Sequence, residues 1–196
     1  LGSATGGTGS TVTQLTANNE ETVTVAAVGA ASEITTLVAT DLRKLNITGS
    51  KNISIPTLTV DTGSTTAGAI TIDASAATGT VNVGGTANNA TIYSPITFTA
   101  GVGATTVRGG AGADTITGSG ADDSIIGAAG ADSITAGAGN DTINAGQGAD
   151  YINGGDGLDT YVSGVVPGTD VDGGVTAITG VFINLGSTTK SVSDVN

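Results

Sequence analysis

Six aspartates at a spacing of nine residues, Asp114, Asp123, Asp132, Asp141, Asp150 and Asp159, are the groups in this chain whose type and pattern suit chemistry. Carboxylates at a fixed interval can hold a hard cation or, in pairs, move protons. Imidazole and thiol chemistry is missing. The 196 residues contain no His, Cys, Met or Trp. That excludes a Ser-His-Asp triad, a thiolate nucleophile, a His- or Cys-ligated zinc and a disulfide. Lys44, Lys51 and Lys190 stand in polar surroundings with nothing to depress an amine pKa, so solvation explains them better than Ser-Lys catalysis. The glycines complete neither a GxGxxG nor a Walker A pattern.

The aspartates belong to a repeat. In register it reads GGAGADTIT from Gly109, GSGADDSII from Gly118, GAAGADSIT from Gly127, AGAGNDTIN from Ala136, AGQGADYIN from Ala145 and GGDGLDTYV from Gly154. The sixth position is always Asp; the eighth is Ile116, Ile125, Ile134, Ile143, Ile152 and finally Tyr161. Gly at the first, second and fourth positions allows a tight turn with carbonyls facing inward, and the last three residues form a short strand. One apolar side chain per nine residues makes no core alone. Two nonapeptides make an 18-residue coil with a strand on each side, and stacking the coils aligns the Ile rows. Strands in a sheet lie about 4.7–4.9 Å apart. Stacking therefore produces two acidic ladders, Asp114–Asp132–Asp150 and Asp123–Asp141–Asp159. Carboxylates so close repel one another unless a cation lies between them. Calcium suits the gap, since it takes six to eight oxygens at about 2.3–2.6 Å in loose geometry, whereas magnesium demands a tighter octahedron.

Composition agrees with a thin, repetitive core. Gly, Ala and Thr supply 95 residues, and the aromatics are five: Tyr93, Phe98, Tyr151, Tyr161 and Phe182. Net charge is −12, and eight of the 17 acids, all Asp, fall between residues 109 and 162, where no base occurs. Such acidity opposes binding to nucleic acid or anionic lipid. No run reaches the roughly 18–20 apolar residues of a membrane span. With neither an initiator Met nor a signal sequence, the chain reads as a piece of something longer.

The nonapeptide G-G-x-G-x-D-x-U-x resembles the RTX family, whose repeats form a calcium-binding parallel β-roll. The resemblance implies several calcium ions, bound by the six aspartates together with main-chain carbonyls. By register these are Gly109, Ala111, Ala113, Gly118, Gly120, Gly127, Ala129, Ala131, Ala136, Ala138, Asn140, Ala145, Gln147 and Ala149. The pattern has departures. Ser119, Ala128, Ala136 and Ala145 replace Gly at the first two positions, and Ala121 replaces it at the fourth, which makes the second repeat the weakest site. Asp122 and Asp156 are either added ligands or solvated turn residues.

Before the roll, Thr22–Val25, Leu45–Thr48, Ile53–Ile55, Leu58–Val60, Ile70–Ile72, Val81–Val83 and Ile96–Thr99 alternate apolar and polar residues, as half-buried strands do. Their irregular spacing fits a loose β-solenoid or a small sandwich, and continuity with the roll favours the solenoid. Residues 31–44 leave room for one helical turn. The expected fold is therefore all-β: an irregular β-solenoid over 1–108, a β-roll over 109–162, and a capping or contact segment over 163–196 that includes Pro167, Asp170 and Asp172.

LRKLNITGSKNISI, AITIDASAATGTVNV and VFINLGSTT are similar to the C-terminal regions of RTX-containing S-layer proteins of Gram-negative bacteria. That resemblance implies type I export, a cell-surface location and calcium-dependent assembly with other copies. It also implies attachment to lipopolysaccharide through a part of the parent outside this chain, and it makes Asp61 and Asp73 further candidate calcium sites. The expected role is structural rather than enzymatic. The alternative is an RTX secretion and folding module of a toxin, protease, lipase or adhesin.

Overall fold

The computed structural model describes residues 10–18, 21–60, 68–84, 92–162, 182–184 and 191–193. Within them the chain passes back and forth between two parallel sheets. The first sheet holds β1 (Ser10–Thr16), β3 (Ser32–Val38), β5 (Ile53–Ile55), β6 (Thr57–Thr59), β8 (Val81–Val83), β10 (Thr105–Arg108), β12 (Ser124–Ala129), β14 (Thr142–Gln147), β16 (Thr160–Val162) and β18 (Ser191–Ser193). The second holds β2 (Thr22–Ala27), β4 (Lys44–Gly49), β7 (Ile70–Ala77), β9 (Ile96–Thr99), β11 (Thr115–Thr117), β13 (Ser133–Ala138), β15 (Tyr151–Asp156) and β17 (Phe182–Asn184). The described residues form an all-β parallel solenoid rather than a sandwich.

Register sets the coil lengths. Thr97 pairs with Thr115, Thr106 with Ser124 and Ser133 with Tyr151, each 18 residues on, so two nonapeptides make one coil. Upstream coils are longer and uneven. Ser10 pairs with Ser32, Ser32 with Ile53, Ile53 with Val81 and Val81 with Thr105, and a bulge interrupts the β4–β7 register between Asn46 and Thr48. The step from 24 residues to 18 falls at β10.

Inward positions build one apolar column per sheet. Val23, Leu45, Ile72, Phe98, Ile116, Ile134 and Ile152 follow one another through the second sheet. Ile55, Val83, Val107, Ile125, Ile143 and Tyr161 do so through the first. All are buried. The eighth-position residues thus line the core of the roll.

The described residues contain no helix, which corrects the helical turn expected within 31–44. Ser32–Val38 is β3, because its Ile34 and Leu37 find partners at Val12 and Leu15 of β1 on one side and Leu58 of β6 on the other. Tertiary pairing overrides a weak local preference there. Most of the segment 163–196 lies outside the described residues, including Pro167, Asp170 and Asp172; its β17 and β18 continue the two sheets.

Candidate metal centre

Each ladder aspartate directly precedes or closely leads a strand, so register carries its carboxylate to the matching turn of the neighbouring coil. The backbone N–H of Asp114 donates to Asp132 Oδ1 (2.9 Å), and that of Asp132 to Asp150 Oδ1 (2.9 Å). On the opposite edge the N–H of Asp123 donates to Asp141 Oδ1 (2.8 Å) and that of Asp141 to Asp159 Oδ1 (3.1 Å). Both acidic ladders therefore exist as continuous side-chain-to-backbone chains. Their upper ends meet the longer coils through Ile96 N–H on Asp114 Oδ1 (2.8 Å) and Thr105 N–H on Asp123 Oδ1 (2.6 Å).

All six carboxylates are buried, none more than 3% exposed. Their second oxygens differ. Asp114 Oδ2 accepts Gly110 N–H (2.9 Å), and Asp123 Oδ2 accepts Ser119 N–H (2.7 Å) while Ser119 Oγ donates to Asp123 Oδ1 (3.0 Å). The Oδ2 atoms of Asp132, Asp141 and Asp150 are buried with no hydrogen-bond partner. A buried polar atom without a partner carries its full desolvation cost. Burial pushes the Asp132 carboxyl up to about 7 and those of Asp114 and Asp141 to about 6. It raises Asp123 and Asp150 as well. Neighbouring charges add to the rise: Asp114 and Asp150 act on Asp132, while Asp123, Asp159 and Asp122 act on Asp141.

Backbone oxygens stand beside these carboxylates. A Cβ built on Gly127 would collide with both Asp132 Oδ2 and Ala145 O, one on Gly109 with Asp114 Oδ2 and Gly127 O, and one on Gly118 with Asp123 Oδ2 and Ala136 O. The first repeat position is thus a cradle walled by a carboxylate from its own turn and a carbonyl from the next coil. No three acidic side chains converge on one point among the described residues. An ion held here would take one or two carboxylates and complete its shell with carbonyls. That all-oxygen set, with orphaned buried acceptors, fits calcium and offers nothing to a softer metal.

Of the carbonyls expected to ligate, Gly127, Ala136 and Ala145 lie at these cradles, whereas Gln147 O accepts Gly130 N–H (2.9 Å). The other acidic candidates lie outside the two ladders. Asp122 is exposed, with Oδ1 accepting Asn140 N–H (2.7 Å), and Asp156 is exposed at the end of β15. Asp73 sits in β7, away from both ladders, where Ser75 hydroxyl (2.6 Å) and Ser75 N–H (3.1 Å) hold its carboxyl below the usual range with help from Lys44 at 3.5 Å. Asp61 lies outside the described residues.

Two features escaped the sequence reading. Asp122, Asn140 and Leu158 form a second ladder outside the first, since Asn140 Oδ1 in turn accepts Leu158 N–H (2.9 Å). All three occupy the fifth position of alternate repeats, a spacing of 18 that the sequence displays. Ser119, read as a defect, instead repairs the turn that Ala121 weakens: its Oγ accepts Ala121 N–H (3.0 Å).

A family model, the RTX calcium-binding nonapeptide repeat (four copies), matches twice, over residues 99–134 and 126–161. The chain carries RTX calcium-binding repeats. No curated protein and no solved structure matches it. The RTX repeats bind calcium, several ions of it, and mark a module of secreted proteins. The RTX roll is a structural, calcium-binding unit rather than a catalytic one.

Proposed function

We propose that this chain is a calcium-gated structural segment of an exported surface-layer protein. The observation that carries the reading is the set of partnerless buried oxygens on Asp132, Asp141 and Asp150. A roll that encloses charged carboxylates around so small a core is unstable without a cation. Calcium binding free energy then becomes folding free energy. The chain crosses a type I exporter unfolded, at low cytoplasmic calcium, and folds outside, where millimolar calcium fills weak sites. The role assigned is structural, with no substrate turned over.

A lattice or adhesin role is favoured over a toxin, protease or lipase tail because the described residues before the roll continue as solenoid, with the same two sheets running through Arg108, and assembly separates the first two. A long solenoid offers repeated flat faces for contacts with other copies. Anchoring to lipopolysaccharide belongs to a part of the parent outside this chain. The test has two stages. Circular dichroism with calcium and with a chelator reads folding: strand signal that appears only with calcium supports the gate, and signal unchanged by chelation refutes it. Electron microscopy of the calcium-loaded chain then reads assembly. Ordered sheets support the surface-layer role, and monodisperse particles at every calcium concentration assign the chain to the secretion-module class instead.

A further inference from the structure

Where the coils shorten, the outer surface of the first sheet is notched. A cavity of about 350 Å³ lies there, lined by β8, β10, β12, β14 and the turns that lead into them. One small side chain deepens it. In the rank formed by Thr80, Ala104, Asp122 and Asn140, every residue but Ala104 projects a polar side chain, and the methyl leaves a gap between Thr80 and Asp122. Along one side runs the strand rank Asn82, Thr106, Ser124 and Thr142, paired in register across four coils.

We infer that this notch binds a neutral sugar unit of a polysaccharide. The lining contains no Lys or Arg, which excludes an anion. Nine of its eleven lining residues carry a hydroxyl, amide or carboxylate, while the larger share of the exposed lining is methyl, methylene and other apolar atoms, a mixture that suits the hydroxyl rim and C–H face of a sugar ring. Asp123 is buried and belongs to the ladder, where Thr105 N–H, Ser119 N–H and Ser119 Oγ hold its oxygens, so Asp122 is the exposed acid of the notch. What the site does offer is the complement of a vicinal diol. Asp122 keeps Oδ2 as an acceptor after Oδ1 takes Asn140 N–H, and Asn140 keeps its Nδ2 donors after Oδ1 takes Leu158 N–H. The two side chains are fixed on adjacent coils by that same bond. Hydroxyls of Thr106 and Ser124 both donate and accept, and the Ala104 methyl provides a small apolar floor for one face of the ring. The notch opens onto the sheet surface, so a unit within a longer glycan can enter with its neighbours in solvent.

The test is saturation-transfer-difference NMR on the full chain, kept in calcium throughout so that the roll stays folded whatever calcium does to it. The probes are cellobiose, maltose and N,N′-diacetylchitobiose, with a digalacturonate and spermidine as charged comparators. Transfer to at least one neutral disaccharide, in preference to both charged probes, is expected. Ala104→Phe fills the notch and abolishes it. Thr106→Val, an isosteric change on the outer face, weakens association about three- to tenfold through one lost hydrogen bond, and an unchanged dichroism spectrum shows that this variant is folded. The inference fails if no neutral disaccharide gives transfer, if the signal survives Ala104→Phe in a folded protein, or if spermidine or the digalacturonate binds better.

Discussion

Acid should replace calcium. In the calcium-free chain the buried ladder is tolerable only when its carboxyls are protonated, and the folded-state values of about 7 for Asp132 and about 6 for Asp114 and Asp141, against 3.8 for the ordinary group, measure that preference. Each unit corresponds to about 1.4 kcal/mol, so these three groups, acting partly on one another, destabilise the ionised calcium-free roll by on the order of 5–10 kcal/mol. A domain has about 5–15 kcal/mol in total. The direction follows from proton counting. Because the folded state binds protons more tightly, calcium-free stability is full below about pH 4, falls as pH rises between about 4 and 7, and is lowest above 7. The assay is far-UV dichroism of the chelated chain from pH 8 down to 5, which stays above the sequence pI of about 4.1. Strand signal should grow as pH falls through about 6–7, while in saturating calcium it should be flat over the same range. Calcium binding at pH 6 should also release protons, since each ligand must be ionised. A strand signal in chelator that is constant from pH 8 to 5, or that increases with pH, would refute the reasoning.

Asp132→Asn removes a buried charge at nearly constant shape, so it should raise the strand content of the chelated chain at pH 7 while lowering the number of calcium ions bound, as read by titration calorimetry. Ala128 holds a φ of 89°, a conformation open to glycine, and Ala128→Gly should stabilise the calcium-loaded roll by about 1 kcal/mol in urea unfolding. Gly148→Ala should do the opposite, by about 2–3 kcal/mol or more, because its φ of 138° is joined by a collision of the new Cβ with Gly130 O. Ile134→Ala opens a hole in a core only one side chain wide and should cost about 2–5 kcal/mol by the same measurement.

The roll was legible because its chemistry is periodic. The nine-residue interval of Asp and Ile already implies an 18-residue coil, two ladders and one apolar column per sheet, and the Asp114 to Asp132 bond and the Ile125–Ile143 pair follow. What the interval leaves open is where each carboxylate oxygen points. Exposure on turns would have been compatible with the same spacing, yet the side chains turn inward and lose their water. Upstream the signal was partial. Strands such as Ile53–Ile55 and Val81–Val83 show strict alternation and were readable, whereas β3 carries its buried Ile34 and Leu37 three residues apart, a helical interval, and only its pairing with β1 and β6 makes it a strand. Ser119 was misread for a related reason. A substitution for glycine looks like damage in a one-dimensional pattern, and its side-chain bonds to Asp123 and Ala121 become visible only in the fold.

The two halves of the solenoid are stabilised differently, and on the proposed reading the join would make calcium a gate rather than a local clip. Between Ser32 and Asn52 the chain buries Ile34, Leu37, Ala39, Leu42, Leu45 and Ile47 and no acid. The 18 residues from Ser124 to Asp141 bury Ile125, Ile134 and Ala136 among apolar side chains, and with them Asp132 and Asp141. Fully burying an Ile contributes about 1.5–3 kcal/mol, so the two in a roll coil are of the same size as the penalty of one buried, ionised carboxylate there. The long coils can stack on apolar burial alone; the short ones cannot until the ladder is neutralised. Stacking is also directional, since Ile96 and Thr105 present their N–H groups to Asp114 and Asp123. The last long coil thereby supplies a ready first rung on each edge. On the proposed reading, calcium would extend this template coil by coil, with Asp132 and Asp150 on one edge and Asp141 and Asp159 on the other holding the ions that neutralise each rung.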